Sequence, residues 1–423
     1  MTTLRTGAAG ALAVTLATAL TACGGGDDSQ MQVWMYQDSL AVVQKDAVER
    51  FNEDSEIEAV VNEVPGDSYE DRVRTVMGSN DQPDVFFNWG AGNIRPYVDE
   101  EILLPLDDLM ESEPEFADSF IPSIMEAAEI DGTQYGVPLR GTQPVLLFYN
   151  EAVFEDVGVE PPETWEDLLG LVDTFTEEGI TPFALGGSET WTMQMWLQYL
   201  VDREGGAEVF NRIEAGDPEG WRDPAMLRAA EHVSELVDRG AFGDNFASVS
   251  FTEGAASTLL SEGEAAMHLM GSWEYSTHLD QAPDFAENDL GYAPFPEMPE
   301  GEGDPANVTG NPTNYFSVTA DSEYTEEATE FLQMTDDDAY VQDMVDNGEV
   351  PTTTDAEEYL DDSPNPEFAT FQYELVQNAP HFQLSWDQAL EPEVSTAMLN
   401  EIERLFTEQI TPEEFVELMA EKP

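Results

Sequence analysis

The chain has 423 residues, of which 89 are Asp or Glu and 14 are Lys or Arg, so its formal net charge is −75. Nucleic acids bind to basic surfaces, and this composition therefore argues against a nucleic-acid partner. The length is sufficient for two domains with separate cores, and 41% hydrophobic residues are typical of a packed globular protein.

The acidic residues are spread along the whole chain, and Lys45 and Lys422 are the only lysines. This pattern favours the solvated surface of a salt-adapted protein. The acidic clusters at 336–338 and 361–362 leave calcium sites as the alternative, although the spacing of an EF-hand loop is absent from the sequence.

The first predicted element is a signal peptide at residues 1–22. Arg5 precedes an uncharged run from Thr6 to Ala22, which is short for a membrane span and is followed by Cys23 and "GGGDDSQ". The stretch "LTAC" resembles the lipobox of bacterial lipoproteins. This resemblance implies cleavage before Cys23, a lipid on that cysteine, a tether over 23–30, and a location on the extracellular face of the cytoplasmic membrane. Because Cys23 is the only cysteine, no disulfide can form within the chain.

The next elements alternate between strands and helices. "MQVWMY" (31–36), "IEAVVNEV" (57–64) and "PDVFFN" (83–88) read as strands, and the apolar spacing over 40–51 and the stretch "SYEDRVRTVMG" predict helices between them. A β-α-β-α-β order implies a parallel sheet with helices on both faces.

The ends of the first and third strands mark a candidate ligand crevice. Ligands of such sheets bind at the carboxyl ends of strands where the strand order reverses. We therefore expect 36–38 and 88–90 to face one crevice. The first strand-to-helix turn, "YQDSLA", has no glycine, and this argues against a dinucleotide as the occupant.

A second α/β region begins near residue 136. "GVPLRGTQPVLLFYN", "ITPFALGGSETW" and "GEAAMHLMGSW" predict strands, "PPETWEDLLGLVDTF" predicts an amphipathic helix, and "PTNYFSVT" is strand-like. Because no single linker separates two halves, we expect the chain to pass between two lobes more than once.

Five blocks together resemble the extracellular solute-binding proteins of bacterial ABC sugar importers, of the maltose- and oligosaccharide-binding type. After the lipobox they are "PDVFFNWGAGNIRPYVDEEILLPLDDL", "DGTQYGVPLRGTQPVLLFYNEAVFEDVGVEPPETWEDLL", "GEAAMHLMGSWEYS" and "HFQLSWDQAL". The motifs "WG", "GSW" and "WDQAL" look most similar to the branch that handles xylo- or other plant-derived oligosaccharides.

The resemblance implies a two-lobed α/β fold of the periplasmic-binding-protein class II type. Each lobe would be a mostly parallel sheet flanked by helices, with lobe 1 at 31–143 plus 315–365, lobe 2 at 144–314 plus 366–423, and a hinge between them. It also implies a binding protein, not an enzyme, that captures a xylo-, cello- or malto-type sugar and delivers it to the transmembrane subunits of an ABC permease. No cofactor or metal is expected, and we expect a monomer.

Sugar recognition needs aromatic faces against the rings and planar polar groups for the hydroxyls. Trp34, Trp165 and Trp221 are interpreted as structural, and Trp191 is favoured over Trp196 as the residue that faces the ligand. The predicted ligand-binding residues are Asp38, Asn88, Trp89, Gly90, Arg140, Gln143, Trp191, Trp273, Glu274, Asn311, Trp386 and Asp387.

The main alternative is a secreted carbohydrate-active hydrolase that uses a carboxylate pair. A sequence with 89 Asp and Glu residues offers many candidates for such a pair, and this alternative stays open. A metal-capturing lipoprotein is disfavoured by four scattered histidines and a single cysteine. A serine hydrolase is disfavoured because "GGSETW" lacks the G-x-S-x-G pattern.

Overall fold

The computed structural model describes residues 30–422. The predicted signal peptide and the predicted lipidation site Cys23 lie outside the described residues. Within 30–422 the chain forms two mixed sheets and a short two-stranded hairpin, with helices packed around both large sheets. None of the helices in this described part is both long and apolar enough to cross a membrane.

The strands are short and follow the predicted order at the start of the chain. They are β1 (Gln30–Gln37), β2 (Glu58–Pro65), β3 (Val85–Asn88), β4 (Glu129–Ile130), β5 (Thr133–Gln134), β6 (Val137–Pro138), β7 (Gln143–Asn150), β8 (Thr181–Ala184), β9 (Ala265–Gly271), β10 (Leu290–Ala293), β11 (Val308–Asn311), β12 (Tyr315–Val318) and β13 (Phe382–Leu384).

The helices connect these strands and fill the C-terminal part of the chain. They are α1 (Ala41–Asp54), α2 (Tyr69–Val76), α3 (Ala91–Asp99), α4 (Asp107–Ser112), α5 (Pro114–Ala117), α6 (Pro122–Met125), α7 (Glu151–Val157), α8 (Trp165–Glu178), α9 (Trp191–Gly205), α10 (Glu208–Glu214), α11 (Pro224–Asp238), α12 (Ala255–Ser261), α13 (Trp273–Gln281), α14 (Pro283–Asn288), α15 (Thr325–Gln333), α16 (Asp338–Asp346), α17 (Pro366–Asn378), α18 (Trp386–Ala389), α19 (Pro392–Phe406) and α20 (Pro412–Ala420).

The first sheet has the order β2-β1-β3-β12-β6. Strand β1 pairs in parallel with β2 and β3, which confirms the predicted β-α-β-α-β unit. Strand β12 runs antiparallel to β3 and completes the sheet together with β6. All four residues of β3 are buried, as expected of a central strand with helices on both faces.

The second sheet has the order β13-β11-β7-β9-β8, and β10 also pairs with β7. Strand β7 runs antiparallel to β9, β10 and β11, whereas β8 and β9 are parallel. Both sheets are thus mixed, where the sequence predicts mostly parallel ones. The reason is that the chain reaches β7 and β12 directly from the other sheet. Each strand therefore starts at the end of the sheet where its neighbours finish and runs antiparallel to them, because no helical crossover returns the chain to the opposite end.

Each large sheet has its own hydrophobic core. One core takes side chains from 31–139 and 316–344, and the other takes them from 145–298 and 368–420. The chain crosses between the sheets at 139–142 and 312–314, and a third connection runs between α16 and α17. The predicted two-lobed α/β class is confirmed. The lobe boundaries given by the resemblance remain a prediction, and we use "lobe 1" for the part around β1 and "lobe 2" for the part around β7.

Candidate functional site

The two lobes touch beside the carboxyl ends of β1 and β3. Gly92, in the first turn of α3 in lobe 1, packs directly on the end of α18 in lobe 2. A Cβ atom at Gly92 would lie 2.7 Å from the carbonyl oxygens of both Ala389 and Leu390. This close approach of two backbones shows that the lobes are in contact at this edge of the cleft between them, so the structure is closed here.

The first crossing between the lobes is held by an ion pair between the buried Arg140 and the more exposed Asp38. The Arg140 guanidinium donates two hydrogen bonds to Asp38, of 2.7 and 2.8 Å, and its backbone carbonyl accepts one from Thr313 Oγ1 in the second crossing. Burial would lower the pKa of Arg140, but Asp38 outweighs this effect and raises it. Asp38 and Arg140 thus pair with each other at the hinge, and only Nε of Arg140 lacks a partner.

Gln143 is the first residue of β7 and Asn311 is the last residue of β11, and the two lie opposite each other in the sheet. Both side chains are buried at this point of the second sheet, and the Asn311 Oδ1 atom has no hydrogen-bond donor. A buried acceptor without a donor is costly, so Asn311 Oδ1 is an unsatisfied group beside the second crossing.

Lobe 1 presents a cluster of aromatic rings at the ends of β1 and β3. Trp89 is half-buried and stands edge-on to Phe87, Tyr36 and Tyr69, with centroid distances of 4.8, 5.6 and 5.9 Å. These edge contacts fix the indole ring while part of it stays exposed. Trp89 therefore combines a packing role with a surface that a ligand can contact.

The neighbours of Trp89 are placed differently from the expectation. Asn88 is buried, donates to Ser317 Oγ and accepts from the Gly90 backbone N–H, so its amide is engaged within lobe 1 and away from the cleft. Gly90 has a φ of 76°, and a Cβ there would lie 2.5 Å from the Ala127 carbonyl oxygen. The glycine is explained by this backbone geometry rather than by room for a sugar ring.

Lobe 2 presents a second aromatic wall at the ends of β8 and β9. The half-buried Trp191 and Trp273 have ring centroids 6.2 Å apart, and Phe251 lies 5.4 Å from Trp191. The Trp273 ring folds back over Gly271, where any Cβ would collide with it. Trp196 is fully buried against Phe183, so of the two tryptophans in α9 only Trp191 keeps an exposed surface that a ligand could contact.

Two further predicted site residues do not reach the cleft. Trp386 is fully buried, stacks on Phe210 at 4.7 Å and donates its indole N–H to Gln383, which makes it part of the lobe 2 core. Glu274 is also fully buried, with its carboxylate 2.9 Å from His268 Nδ1 and 3.0 Å from His278 Nε2.

The charge state of Glu274 follows from these two histidines. Burial alone would raise the pKa of Glu274, but His268 and His278 outweigh it and hold the pKa far below its usual range. A carboxylate buried between two imidazoles is engaged within lobe 2 and cannot accept a ligand hydroxyl.

A cavity of about 200 Å³ lies between the lobes next to Trp89. Lobe 1 lines it with α2, β3 and α3, and lobe 2 lines it with Asp387 and α19. Asp387 accepts hydrogen bonds from Gln194 and Gln388, and burial raises its pKa. Across the cavity, burial and the proximity of Asp387 raise the pKa of Glu70.

The family of this chain is decided by the comparison of its sequence with known families. The family described as "Bacterial extracellular solute-binding protein" matches residues 36–340. The chain belongs to this family. The match covers the β-α-β-α-β unit from the end of β1 onward, the first two crossings and both aromatic walls.

Three curated relatives show the range of the similarity. "Multiple sugar-binding protein" of Streptococcus mutans is 27% identical over 203 residues, 47% of this chain and 46% of the relative. "Xylose/arabinose-binding protein XacG" of Haloferax volcanii is 26% identical over 226 residues, 52% and 47% of the two chains. "Osmoprotective compounds-binding protein GgtB" of Synechocystis is 24% identical over 318 residues, 72% and 74%. The chain spans about half the length of most of the curated relatives it matches.

Solved structures share the whole fold of this solute-binding protein. One, from work on "xylan utilization by the thermophilic bacterium" Caldanaerobius polysaccharolyticus, has a TM-score of 0.85 at 23% identity and covers 92% of this chain and 99% of its own. A "Chitin oligosaccharide binding protein" has a TM-score of 0.79 at 21% identity, with 93% and 98% covered. At these identities the likeness establishes the two-lobed fold.

Several cleft residues of this solute-binding protein were not predicted from the sequence. Tyr69 and Glu70 open α2, the helix that follows β2, and Tyr97 lies on α3; all three line the interlobe cavity. The position of Tyr69 and Glu70 directly after a strand that ends at the cleft was the available signal. Gln194 and Gln388, which bracket Asp387, lie on helices far apart in sequence, and no local pattern indicates their meeting.

The described part of the chain shows no group of side chains placed for a metal ion. Within residues 30–422, no three His, Cys, Asp or Glu side chains converge as they would around a metal ion. The interlobe cavity offers aromatic rings from lobe 1 and carboxylates from both lobes, groups that suit noncovalent binding of a polar ligand.

Proposed function

We propose that this chain is the substrate-binding component of an ABC importer. It captures a sugar between its lobes, specifically an oligosaccharide of xylo-, cello- or malto-type, and delivers this sugar to the permease. The observation that supports the proposal is that each lobe carries a cluster of aromatic rings that includes half-buried tryptophans, Trp89 with Tyr36 and Tyr69 on lobe 1 and Trp191 with Trp273 on lobe 2. Aromatic faces cover the apolar C–H faces of pyranose rings, and two walls let one ligand hold both lobes.

The names of the relatives support a carbohydrate as the ligand. Multiple sugars, xylose and arabinose are named for two relatives, and xylan and chitin oligosaccharides for two structures of the same fold. The similarity to GgtB adds osmoprotective compounds as a ligand class that a screen should include. The screen is a thermal-shift assay against these compounds, because a ligand that binds only the folded protein raises its melting temperature.

The first prediction concerns Trp273. Trp273→Ala removes an aromatic face from the lobe 2 wall, and we expect sugar affinity to fall roughly 30- to 1,000-fold, as for a buried aromatic hot spot. Titration calorimetry with a sugar identified in the screen measures this loss. Phe371→Ala, a half-buried aromatic on α17 that packs on Tyr292, is the matched control and should keep the affinity. Equal affinities of wild type and Trp273→Ala would remove Trp273 from the site.

The hydrolase alternative makes a different prediction for the same sugars. Glu70 and Asp387 line one cavity, and a carboxylate pair is what a glycoside hydrolase needs. A binding protein releases no reducing ends from an oligosaccharide that it binds. Steady release of reducing sugar by the purified chain, lost in Glu70→Gln, would replace the transport proposal with the hydrolase.

The second prediction concerns Cys23 and the membrane. We propose that the chain is a signal-peptide-bearing lipoprotein that acts as a monomer on the extracellular face of the membrane. Cys23→Ala is expected to leave the protein uncleaved or shed, because the only thiol that can carry the lipid is gone. Radiolabelled palmitate should enter the wild type and not the variant in a bacterial host, and an unlabelled wild type would disprove the anchor.

A further inference from the structure

The interlobe cavity has an excess of hydrogen-bond acceptors. Glu70 from lobe 1 and Asp387 from lobe 2 both line it, and Gln388 lies beside them with its Nε2 donating to Asp387 Oδ2 at 2.9 Å. The other end of this amide, Gln388 Oε1, is buried without any donor. Two carboxylates, one from each lobe, therefore line the same cavity.

Three hydroxyl donors around the same cavity are already used by the protein. The Tyr69 hydroxyl donates to the Phe87 carbonyl, Ser395 donates to the Asp387 carbonyl, and Thr396 donates to the Pro392 carbonyl. Trp89, Asn93 and Tyr97 add donors to the lining on the lobe 1 side. A ligand that brings its own N–H groups can pair with the two carboxylates, whereas an acceptor-rich ligand would leave these acidic oxygens unpaired.

The one cation at the rim does not neutralise the pair. Arg74 lines the cavity but is 57% exposed and donates to Asp71. Burial is the largest cause of the raised pKa of Glu70, and the nearby Asp387 is the second. Arg74 lowers this pKa, but by less than Asp387 raises it. Glu70 lines the cavity while it remains exposed to solvent, and the pKa of this carboxyl stays raised despite Arg74.

The walls of the cavity suit a cation as well as a sugar ring. Tyr69, Trp89 and Tyr97 all line it, and the negative faces of aromatic rings attract ammonium groups, most strongly where water is excluded. Carboxylates on both sides can pair with the same cation as the cleft closes, and this removes the repulsion between them.

We propose that this cavity binds an ammonium group of the ligand, so that the substrate class of this transporter includes amino sugars, with Glu70 and Asp387 as the counter-charges from the two lobes. This inference rests on the proposed function, because it names the ligand class of the same cleft. Closure onto a cation brings Glu70 and Asp387 together favourably, whereas a neutral sugar leaves two like charges facing each other.

The test compares matched neutral and cationic ligands. Cellotriose, the β-1,4-linked glucosamine trimer and its N-acetylated form share one skeleton, and galactose with galactosamine adds a second pair. We expect the amine-bearing member of a pair to bind more tightly by roughly 10- to 100-fold, the usual effect of a charge-assisted hydrogen bond. Titration calorimetry in mildly acidic buffer with constant salt keeps the amines protonated.

Variants show whether a preference for the amine comes from the carboxylates in the cavity or from the general negative charge of the protein surface. Glu70→Gln should weaken binding of the amine far more than binding of its neutral partner, so that the preference for the amine disappears, and Asp387→Asn should act in the same direction. Glu49→Gln, an exposed position on α1, changes the net charge equally and should keep the preference. Unchanged melting temperatures of the free variants show that the fold is intact.

The outcomes distinguish this inference from the proposed function. If neutral sugars bind and no amine is preferred, or if Glu70→Gln weakens both members of a pair equally, the inference is overturned and the transport proposal stands. If the screen finds neutral sugars and none of the amine probes binds, the inference is overturned as well. If no carbohydrate of any kind binds, the proposed function itself fails.

Discussion

Glu349 is a buried residue that links two of the three connections between the lobes. It follows α16 at the third connection, and its Oε2 accepts the backbone N–H of Gly141 in the first crossing at 2.8 Å. Its Oε1 has no partner. Burial raises the pKa of Glu349 to about 7, although Arg140 and the Gly141 N–H pull it down.

The third prediction follows from this pKa. Between its ordinary value of 4.5 and about 7, the folded protein holds the Glu349 proton and the unfolded chain does not, so stability falls as pH rises through this window. Since one pKa unit is worth about 1.4 kcal/mol, the loss is on the order of 3 kcal/mol. Glu349→Gln keeps the acceptor for Gly141 and cannot ionise, so it should be more stable than the wild type above this window.

Denaturant unfolding at constant high salt measures the difference between the two proteins. The advantage of Glu349→Gln should be greatest near pH 8 and should disappear near pH 5, where Glu349 is protonated in the folded state. A difference that does not change with pH would mean that Glu349 does not titrate in this window.

At the residue scale, the sequence indicated which residue types could bind a sugar, but it did not indicate which of those side chains are buried. Trp273 and Trp386 both follow a strand and a Ser, and nothing in the local pattern separates them. Trp386 is buried because Phe210 and Gln383 cover it, and Phe210 comes from a helix far away in sequence. Glu274 looked like a polar partner of Trp273, but His268 and His278 enclose it.

At the scale of elements, closure depends on the contact between α3 and α18. The start of α3 meets the end of α18 with only Gly92 between them, because any side chain would press on the carbonyl oxygens of Ala389 and Leu390. Gly92 thus belongs to a surface that forms only when the lobes approach each other.

The fourth prediction concerns this contact. Gly92→Ala should destabilise the closed state by about 1–3 kcal/mol, as overpacking typically does, and should weaken ligand binding by about 5- to 150-fold. The folding of each lobe should be unaffected, because the clash lies between the lobes. Titration calorimetry gives the affinity, and X-ray scattering should show a larger radius of gyration for the variant with ligand than for the ligand-bound wild type.

Gly170→Ala is the matched control for this experiment. Gly170 lies inside α8, where an added Cβ meets no atom within 4 Å, so the same change should leave affinity and closure as they are. If Gly92→Ala binds as tightly as Gly170→Ala and compacts equally, the α3–α18 contact plays no part in closure.

The order of the elements was more predictable than their direction. The β-α-β-α-β unit is set by local periodicity, which the sequence displays. The antiparallel entry of β7 and β12 depends on where the chain arrives after each crossing, and periodicity carries no information about that. The resemblance to a known family supplied the two-lobed arrangement that local patterns could not.

At the scale of the whole molecule, the charge is far from balanced. The described basic side chains largely have acidic partners, as in the pairs Arg50–Asp343, Arg239–Asp173 and Lys45–Glu63. With 14 Lys and Arg against 89 Asp and Glu, pairing neutralises only a small part of the acidic surface. The remaining carboxylates repel one another, and this repulsion opposes both the folded state and the closed state.

The fifth prediction is that salt stabilises this protein more than it stabilises an ordinary one. The Debye length falls from about 10 Å at 0.1 M to about 3 Å at 1 M salt, so neighbouring surface carboxylates cease to sense each other. The melting temperature should therefore rise steeply with KCl, and an equal osmolality of sucrose should produce a smaller rise because it does not screen charge. Melting temperatures that stay level or fall as KCl rises would contradict the salt-adapted surface, and the acidic residues would then need a more local explanation.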